Sequence, residues 1–229
     1  SQKAIYADLI ATLVKAIGNL QQAVDGKMNN VANQDLVFGG DMSQWLAAAY
    51  GLKARYLIHQ SAVDNSVYAA AEAAAQKAIE LGFAGMTITE FNGVTCDNPW
   101  SAFVWSRGYT ASSTTVTKLM EKYNDPRIDL YLAGGEAFNP GDAEGAKLSW
   151  SPSYPVWFDL GSQPIHLLSQ AEVYFILAET QLRQGKDATE AFQAAVSSSV
   201  ADIMTICGED ASVAADYAAS LGAPTLQTL

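Results

Sequence analysis

Apolar residues recur every three or four positions along most of the chain, which is the spacing of one face of an α-helix. Polar and glycine-rich breaks separate these runs and mark the helix ends. The pattern predicts long helices over residues 5–24, 42–60, 65–81, 168–182 and 187–206, and shorter ones over 114–123 and 211–221. Weak alternation predicts strands at 87–91 and 127–132. The chain is therefore expected to be mainly α, with a few short strands.

The stretch 35–59 organises the first part of the chain. An apolar run, predicted to be extended, leads into Gly39-Gly40. Asp41 then caps the next helix by accepting a bond from a backbone N–H of its first turn. The apolar stripe expected on this helix, at steps of four, three and four, is Trp45, Ala49, Leu52 and Tyr56. No phosphate-loop motif follows the two glycines, so the stretch is interpreted as framework.

The alanine-rich helix 65–81 ends at Gly82, in the place of a left-handed closing residue. Asp64 is placed to cap it. Paired with 42–60, it makes a helix hairpin that is typical of tetratricopeptide-like repeats, although no fixed period is visible. The fold expected is therefore a set of tetratricopeptide-like helical hairpins.

Two segments, 83–113 and 148–160, break this pattern and are rich in aromatic residues. Both are predicted to be irregular loop insertions, and loops of such length are often functional. Sugars present flat C–H faces that stack on Trp and Tyr rings, while Asn and Arg side chains bond hydroxyl groups. The candidate ligand-binding residues are Asn98, Trp100, Trp105, Arg107, Tyr109, Trp150, Tyr154 and Trp157. The alternative is that these rings cover the helix ends beneath them.

The net charge of the chain indicates which kinds of molecule it can bind. The chain has 229 residues and a net charge of −11, with 49% hydrophobic and 16% charged residues. An acidic surface repels phosphate backbones and anionic lipids, so nucleic acid is not expected as a partner. Neutral ligands such as sugars are not penalised. No apolar run reaches the roughly 20 residues that span a bilayer.

The titratable residues form no catalytic motif. Glu172 and Glu179 share a helix face, but the helix rise separates their backbones by about 10 Å. Structural anchoring is therefore favoured over a glycosidic carboxylate pair, and Arg183 is a ready partner of Glu179. His59 and His166 lie at helix ends without the spacing of a zinc site or a triad, so packed or solvated histidines are favoured.

Metal and disulfide chemistry are weighed in the same way. Asp142 and Glu144 could contribute to a Ca²⁺ site, but two carboxylates fall short of a full ligand set, and a solvated turn is favoured. No metal and no cofactor are expected. Cys96 and Cys207 have no metal-type spacing, and the absence of a cysteine framework favours free thiols over a long-range disulfide.

Three motifs carry a family resemblance. The first is FGGDMSQWLAAAYGLKARYLI, the second is the Asp-Pro-Arg at residues 125–127, and the third is LLSQAEVYFILAETQLRQG. Their residues and order resemble the SusD-like (SusD/RagB) outer-membrane proteins over roughly residues 35–201. The resemblance implies one SusD-like helical domain over 1–229, without the family's N- and C-terminal parts and its lipid-bearing cysteine.

The resemblance also implies a function. Such proteins are non-enzymatic, lipid-anchored proteins of the Gram-negative cell surface, which capture an oligosaccharide and hand it to a TonB-dependent outer-membrane transporter. Two alternatives stay open. One is a helical repeat scaffold that binds only a protein partner, and the other is a glycoside hydrolase.

Overall fold

A computed structural model of the chain describes residues 1–26, 28, 32–107, 110–141 and 154–229. The helices found there are α1 (Gln2–Gly26), α2 (Met42–Ile58), α3 (Val67–Glu80), α4 (Pro99–Arg107), α5 (Thr114–Lys122), α6 (Ile128–Leu132), α7 (Gln170–Arg183), α8 (Thr189–Cys207) and α9 (Val213–Ser220). Short 3₁₀ turns occupy Ala32–Gln34 and Val156–Asp159, and strands β1 (Met86–Ile88) and β2 (Ile165–Leu168) pair in a two-stranded sheet. The predicted mainly α fold class is confirmed.

The described residues divide into two compact units. Unit 1 comprises Ser1–Ile88, His166–Ser198 and Gly222–Leu229, and unit 2 comprises Thr89–Ile165 and Ser199–Leu221. The expectation of one SusD-like domain over the whole chain stays a prediction.

Helix α2 is the centre of the helix packing in unit 1. Helix α2 packs against α1, α3 and α7, and α3 packs against α7 as well. Several alanines are buried on α2, α3 and α7, and their small side chains let these helices approach closely. A Cβ on Gly51 would lie only 2.8 Å from Leu168 Cδ2, so α2 also approaches the end of β2 tightly. The predicted hairpin of α2 and α3 is confirmed, and Gly82 follows α3 with a φ of +79°.

Helix α2 buries more of its surface than the predicted apolar stripe covers. Of the members of this stripe only Ala49 is buried, while Trp45, Leu52 and Tyr56 are half-buried. The buried residues of α2 are Leu46, Ala47, Ala48, Ala49, Gly51, Ala54 and Leu57. Because three helices surround α2, more than one of its faces is covered, and a single-face pattern misses this.

A turn leads into α2, so the prediction of an extended run is wrong. Asp35 Oδ1 accepts the N–H groups of Val37 (3.0 Å) and Phe38 (3.2 Å), and Oδ2 accepts those of Gly40 (2.8 Å) and the Trp45 indole (2.6 Å). Burial raises the pKa of Asp35, but the bonds from Trp45 and the backbone outweigh it and hold the pKa at about 2. The Asp35 carboxylate therefore stabilises the turn by accepting these four hydrogen bonds.

The predicted cap of α2 is confirmed. Asp41 Oδ1 accepts the backbone N–H groups of Ser43 (2.8 Å) and Gln44 (3.2 Å). Asp64, in contrast, accepts both the N–H and the hydroxyl of Ser66 just before α3, and the helix has Ser66 at its cap position.

An ion pair links α2 to α7. Arg55 Nε and Nη2 each lie 2.5 Å from an oxygen of Glu172, and Nη2 also donates to the carbonyl oxygen of Leu167 at 2.8 Å. A two-pronged contact of this kind gives direction as well as attraction. The anchoring role predicted for Glu172 is confirmed. Glu179 instead pairs with Arg183 of its own helix at 3.3 Å.

Helix α7 begins later than its apolar pattern predicts. Leu168 is the last residue of β2, and Ser169 caps the helix by accepting the N–H of Glu172 at 3.1 Å. Gly185 has a φ of +71° and closes the helix as predicted. Leu168, in the strand before the serine, is apolar too, so it fits the helical spacing and was predicted as part of the helix.

Residues 127–132, predicted as a strand, contain α6, and that prediction is wrong. Asp125 accepts the backbone N–H of Arg127 at 2.9 Å and pairs with its guanidinium, where Nη2 lies 2.6 Å from Oδ2. Arg127 Nη1 also donates to Ser199 Oγ at 2.9 Å. Asp125 is 7% exposed, so this pair holds the start of α6 inside unit 2.

The two histidines each lie within hydrogen-bonding distance of a hydroxyl group. His59 Nδ1 is 3.5 Å from the Tyr6 hydroxyl, and His166 Nδ1 is 3.0 Å from Thr87 Oγ1. Within the described ranges, no group of three or more His, Cys, Asp or Glu side chains is arranged to hold a metal ion.

The two thiols have different surroundings. Cys96 is exposed, and Cys207 is half-buried. Burial, followed by the charge of Glu209, raises the pKa of the Cys207 thiol. Among the residues that the structure describes, no helix combines the length and apolar character that crossing a bilayer requires.

We expect Asp35→Asn to lower the free energy of unfolding by about 1–3 kcal/mol at pH 7, because the amide cannot accept all four donors. The pKa of Asp35 is depressed, so its contribution is present above the unfolded pKa of about 4 and lost as pH falls through about 2. Urea denaturation should therefore show the difference between wild type and variant shrinking from pH 5 to pH 2.

The matched control is Asp41→Asn, which exchanges one good helix cap for another and is expected to change stability little. A difference for Asp35→Asn that stays constant down to pH 2 would contradict the account of the charged turn.

Candidate functional site

The first aromatic-rich segment contains helix α4, so the prediction of an irregular loop over 83–113 is wrong in its middle. Asn98 Oδ1 accepts the N–H of Trp100 at 2.8 Å, which caps the helix. Pro99 occupies the first helical position, where its missing N–H is not needed. Trp100 and Trp105 therefore lie on a rigid element.

Helix α4 presents aromatic rings to solvent on both sides of its buried stripe. Ser101 and Val104 form that stripe, at 0% and 3% exposure. Trp100 and Trp105 are about 140° apart around the axis, and they flank the stripe. Their exposed fractions are 57% and 48%, and that of Phe103 is 41%. Three exposed rings on one short helix make α4 a candidate binding element.

Two glycines cross beside Trp105. Gly93 and Gly161 have φ values of +70° and +64°, and a Cβ on Gly161 would lie 2.9 Å from both Gly93 Cα and Trp105 Cη2. A Cβ on Gly93 would lie 2.9 Å from the Leu160 carbonyl oxygen. No other residue type fits this backbone contact. The crossing brings the second aromatic-rich segment against the first.

Asn98 fastens the same two segments together. Its backbone N–H donates to the Gly161 carbonyl at 2.7 Å, and its Nδ2 donates to the Gln163 carbonyl at 2.9 Å. Gln163 Nε2 in turn lies 3.4 Å from Ser101 Oγ. Asn98 is only 1% exposed, so it positions α4, and its predicted contact with a ligand stays a prediction.

The two segments meet at the carboxylate of Asp159. Its Oδ1 accepts the hydroxyl of Tyr154 at 2.8 Å and the indole N–H of Trp105 at 3.3 Å. Burial, the hydrogen bond to Asp159 and the negative charge of Asp159 all raise the pKa of the Tyr154 hydroxyl. Trp105, Tyr154 and Asp159 are called the Asp159 cluster below.

Sequence reasoning selected Trp105 and Tyr154 but missed Asp159. The available signal was an acidic residue directly after the aromatic run at 157–158. In the described part of the chain, no partner bonds the second oxygen of Asp159, Oδ2, and the residue is exposed. The cluster therefore offers an exposed ring, a phenol and an accepting oxygen on one surface.

Trp157 has a different environment. Its ring meets Tyr131 edge to face, with centroids 4.8 Å apart, and lies 6.1 Å from the ring of Phe158. It is half-buried, and the 3₁₀ turn that carries it packs on α6. Its ring therefore covers the helix beneath it, and its predicted contact with a ligand stays a prediction.

The remaining candidates are less informative. Arg107 is exposed at the end of α4. Tyr109 and Trp150 lie outside the described residues, as do Asp142 and Glu144 of the possible Ca²⁺ site. The structure thus brings together one predicted residue from each aromatic-rich segment, Trp105 and Tyr154. The predicted set as a whole stays a prediction.

We expect Gly161→Ala to lower the free energy of unfolding by about 2–4 kcal/mol, from its left-handed backbone and its clashes with Gly93 and Trp105. The displaced indole should also shift the tryptophan emission. Chemical denaturation followed by fluorescence measures both effects.

Gly134→Ala is the matched control, because Gly134 has a φ of +75° with nothing within 4 Å of the added Cβ. It should lose only about 1–2 kcal/mol, the backbone part of the cost. Equal losses in the two variants would show that the crossing is not tight.

A family model matches nearly the whole chain. It is SusD-like, is described as "Starch-binding associating with outer membrane", and matches residues 1–222. A comparison with curated protein sequences finds no match.

Solved structures resemble the chain along almost its full length. A SusD/RagB family protein from Bacteroides thetaiotaomicron is 24% identical, with a TM-score of 0.72, covering 96% of this chain and 53% of that one. A SusD homologue from Bacteroides vulgatus is 25% identical, with a TM-score of 0.67, covering 93% of this chain and 46% of that one. A chitin-binding protein is 17% identical, with a TM-score of 0.71, covering 97% of this chain and 53% of that one. The chain spans about half the length of these structures, and the likeness establishes a shared fold.

Proposed function

The chain belongs to the SusD-like family of starch-binding proteins that associate with the outer membrane, and we propose that it is a non-enzymatic glycan-binding protein of the cell surface. In this proposal it captures an oligosaccharide and works with a TonB-dependent outer-membrane transporter, to which the full-length protein is held close by a lipid anchor.

The observation that carries the proposal is the Asp159 cluster. A half-exposed indole, that of Trp105, offers a flat apolar face for a pyranose ring. Tyr154 and Asp159 lie at its edge, where a stacked sugar carries its hydroxyl groups. Apolar stacking combined with a few fixed polar groups is the usual composition of a small-ligand site.

Binding without turnover is supported by the state of the two helical carboxylates. Glu172 is held by both nitrogens of the Arg55 fork, and Glu179 is paired with Arg183. A glycosidase needs one carboxylic acid and one carboxylate facing each other across the bond that is cleaved. These pairings leave Glu172 and Glu179 unsuited to that work, which disfavours the hydrolase.

The rival of a helical scaffold that binds only protein rests on unit 1. Its hairpins resemble those of repeat proteins, which present extended surfaces to partners. The rings of unit 2 favour the glycan, because Trp100 and Trp105 are exposed on a capped helix and are not needed to close the core. Capture of a transporter by a protein that binds no sugar would support the rival instead.

The test is a glycan array of plant, fungal and animal oligosaccharides with the full-length protein, followed by calorimetry of the glycans that bind. We expect Trp105→Ala to weaken the affinity at least about tenfold, because a central aromatic anchor carries a large share of binding energy. Absence of binding to any glycan by the folded wild-type protein would refute the proposal.

Leu119→Ala is the control for the loss of an exposed apolar side chain. Leu119 is 53% exposed on α5 in the same unit and is not part of the Asp159 cluster. Its affinity should match that of wild type. An equal loss in both variants would indicate a general effect on unit 2 and would count against a specific role of Trp105.

A further inference from the structure

The geometry of the Asp159 cluster specifies which substituent of a stacked sugar it can reach. The indole N–H lies in the plane of its ring, so the oxygen that accepts it, 3.3 Å away, lies beside the ring near that plane. A pyranose stacked on the same ring projects its equatorial substituents sideways, nearly parallel to the indole. The carboxylate of Asp159 is therefore placed to meet an equatorial group at the sugar's edge.

The donors on Asp159 leave one oxygen for the ligand. Tyr154 and Trp105 both bond Oδ1, and Oδ2 has no partner among the residues described for this unit. The two bonds fix the orientation of the carboxylate before any ligand arrives. An acceptor that is ordered in advance binds a donor at a smaller entropic cost than a mobile one.

The charges of unit 2 are mostly negative. In the described part of unit 2, the basic residues are Arg107, Lys118, Lys122 and Arg127, against acidic residues Glu90, Asp97, Glu121, Asp125, Asp129, Glu136, Asp159, Asp202, Glu209, Asp210 and Asp216. Arg127 is already paired with Asp125. Arg107 lies about 200° around α4 from Trp105, on the other side of the helix.

From this arrangement we propose that the Asp159 cluster binds an amino sugar with a free equatorial ammonium, and that Asp159 Oδ2 is the atom that accepts it. The inference rests on the proposed glycan binding and specifies the chemistry of its ligand. Ammonium and hydroxyl can both donate a hydrogen bond to the carboxylate, but only ammonium adds the attraction between opposite charges, so ammonium is preferred over hydroxyl at this oxygen.

The same charges disfavour acidic glycans. A uronic acid or sulfate group at the sugar's edge would face Asp159 at close range, and the excess of acidic residues in unit 2 adds repulsion. The order of affinity expected is therefore amine first, hydroxyl or acetamide second, and carboxylate last.

Calorimetry at about pH 6 and low salt tests the order with three probes: the hexamer of glucosamine, its fully N-acetylated counterpart and a galacturonate hexamer. The first two differ only in the acetyl groups that remove the positive charge. We expect the amine to bind about fivefold more tightly than the acetamide, the size expected of one exposed ion pair at low salt. The galacturonate should show no measurable heat.

Asp159→Asn separates a specific contact from general attraction. The amide oxygen can still accept Trp105 and Tyr154, so the ring position is preserved while the charge is lost. The preference for the amine should fall to about twofold or less, and affinity for the acetylated hexamer should change little. Asp216→Asn removes one charge from an exposed position on α9 of the same unit and should keep the wild-type preference.

The possible results distinguish the amino-sugar inference from the proposed glycan binding. Failure of the glucosamine hexamer to bind, or an equal preference in wild type and Asp159→Asn, overturns the amino-sugar inference. If other glycans on the array bind in that case, the proposed glycan binding stands without it. If no glycan binds at all, the proposed function fails as well, and the two failures are told apart by the array.

Discussion

The crossing of Gly93 and Gly161 is the constraint on which the candidate site depends. Two left-handed backbones touch there at a distance that leaves no room for a side chain, and the ring of Trp105 lies against one of them. Asn98 then joins both segments through its backbone N–H and its side-chain amide. These contacts fix the position of the Trp105 ring against Gly161, while 48% of the residue stays exposed.

In unit 1, two charged side chains have structural roles. Asp35 closes the turn before α2, and Arg55 joins α2 to Glu172 on α7. Arg55 and Glu172 lie within the motifs that resemble the SusD-like family, and Asp35 lies three residues before the first of them. The motifs that carry the family resemblance and the proposed ligand site are therefore in different parts of the chain.

Most of the helices could be predicted from apolar spacing, because α1, α3, α5 and α8 bury one periodic face or end at a clear glycine. Helix α4 was missed because its buried stripe is a serine and a valine, although Asn98-Pro99 is a recognisable helix start. The strand predicted at 127–132 was wrong because four apolar residues among six do not distinguish a strand from a helix. The bond that Asp125 accepts from the N–H of Arg127 favours the helix locally. Asp159 could not be paired with Trp105, 54 residues earlier, without the glycine crossing.

The central claim is that Trp105 contacts the glycan. Fluorine NMR of the full-length protein labelled with 5-fluorotryptophan tests it directly, with the resonance of Trp105 assigned by Trp105→Phe and that of Trp45, which is bonded to Asp35 in unit 1, as an internal reference. Titration with a glycan that binds should shift the Trp105 resonance and leave that of Trp45 in place. A saturated complex in which the Trp105 resonance does not move would contradict the account.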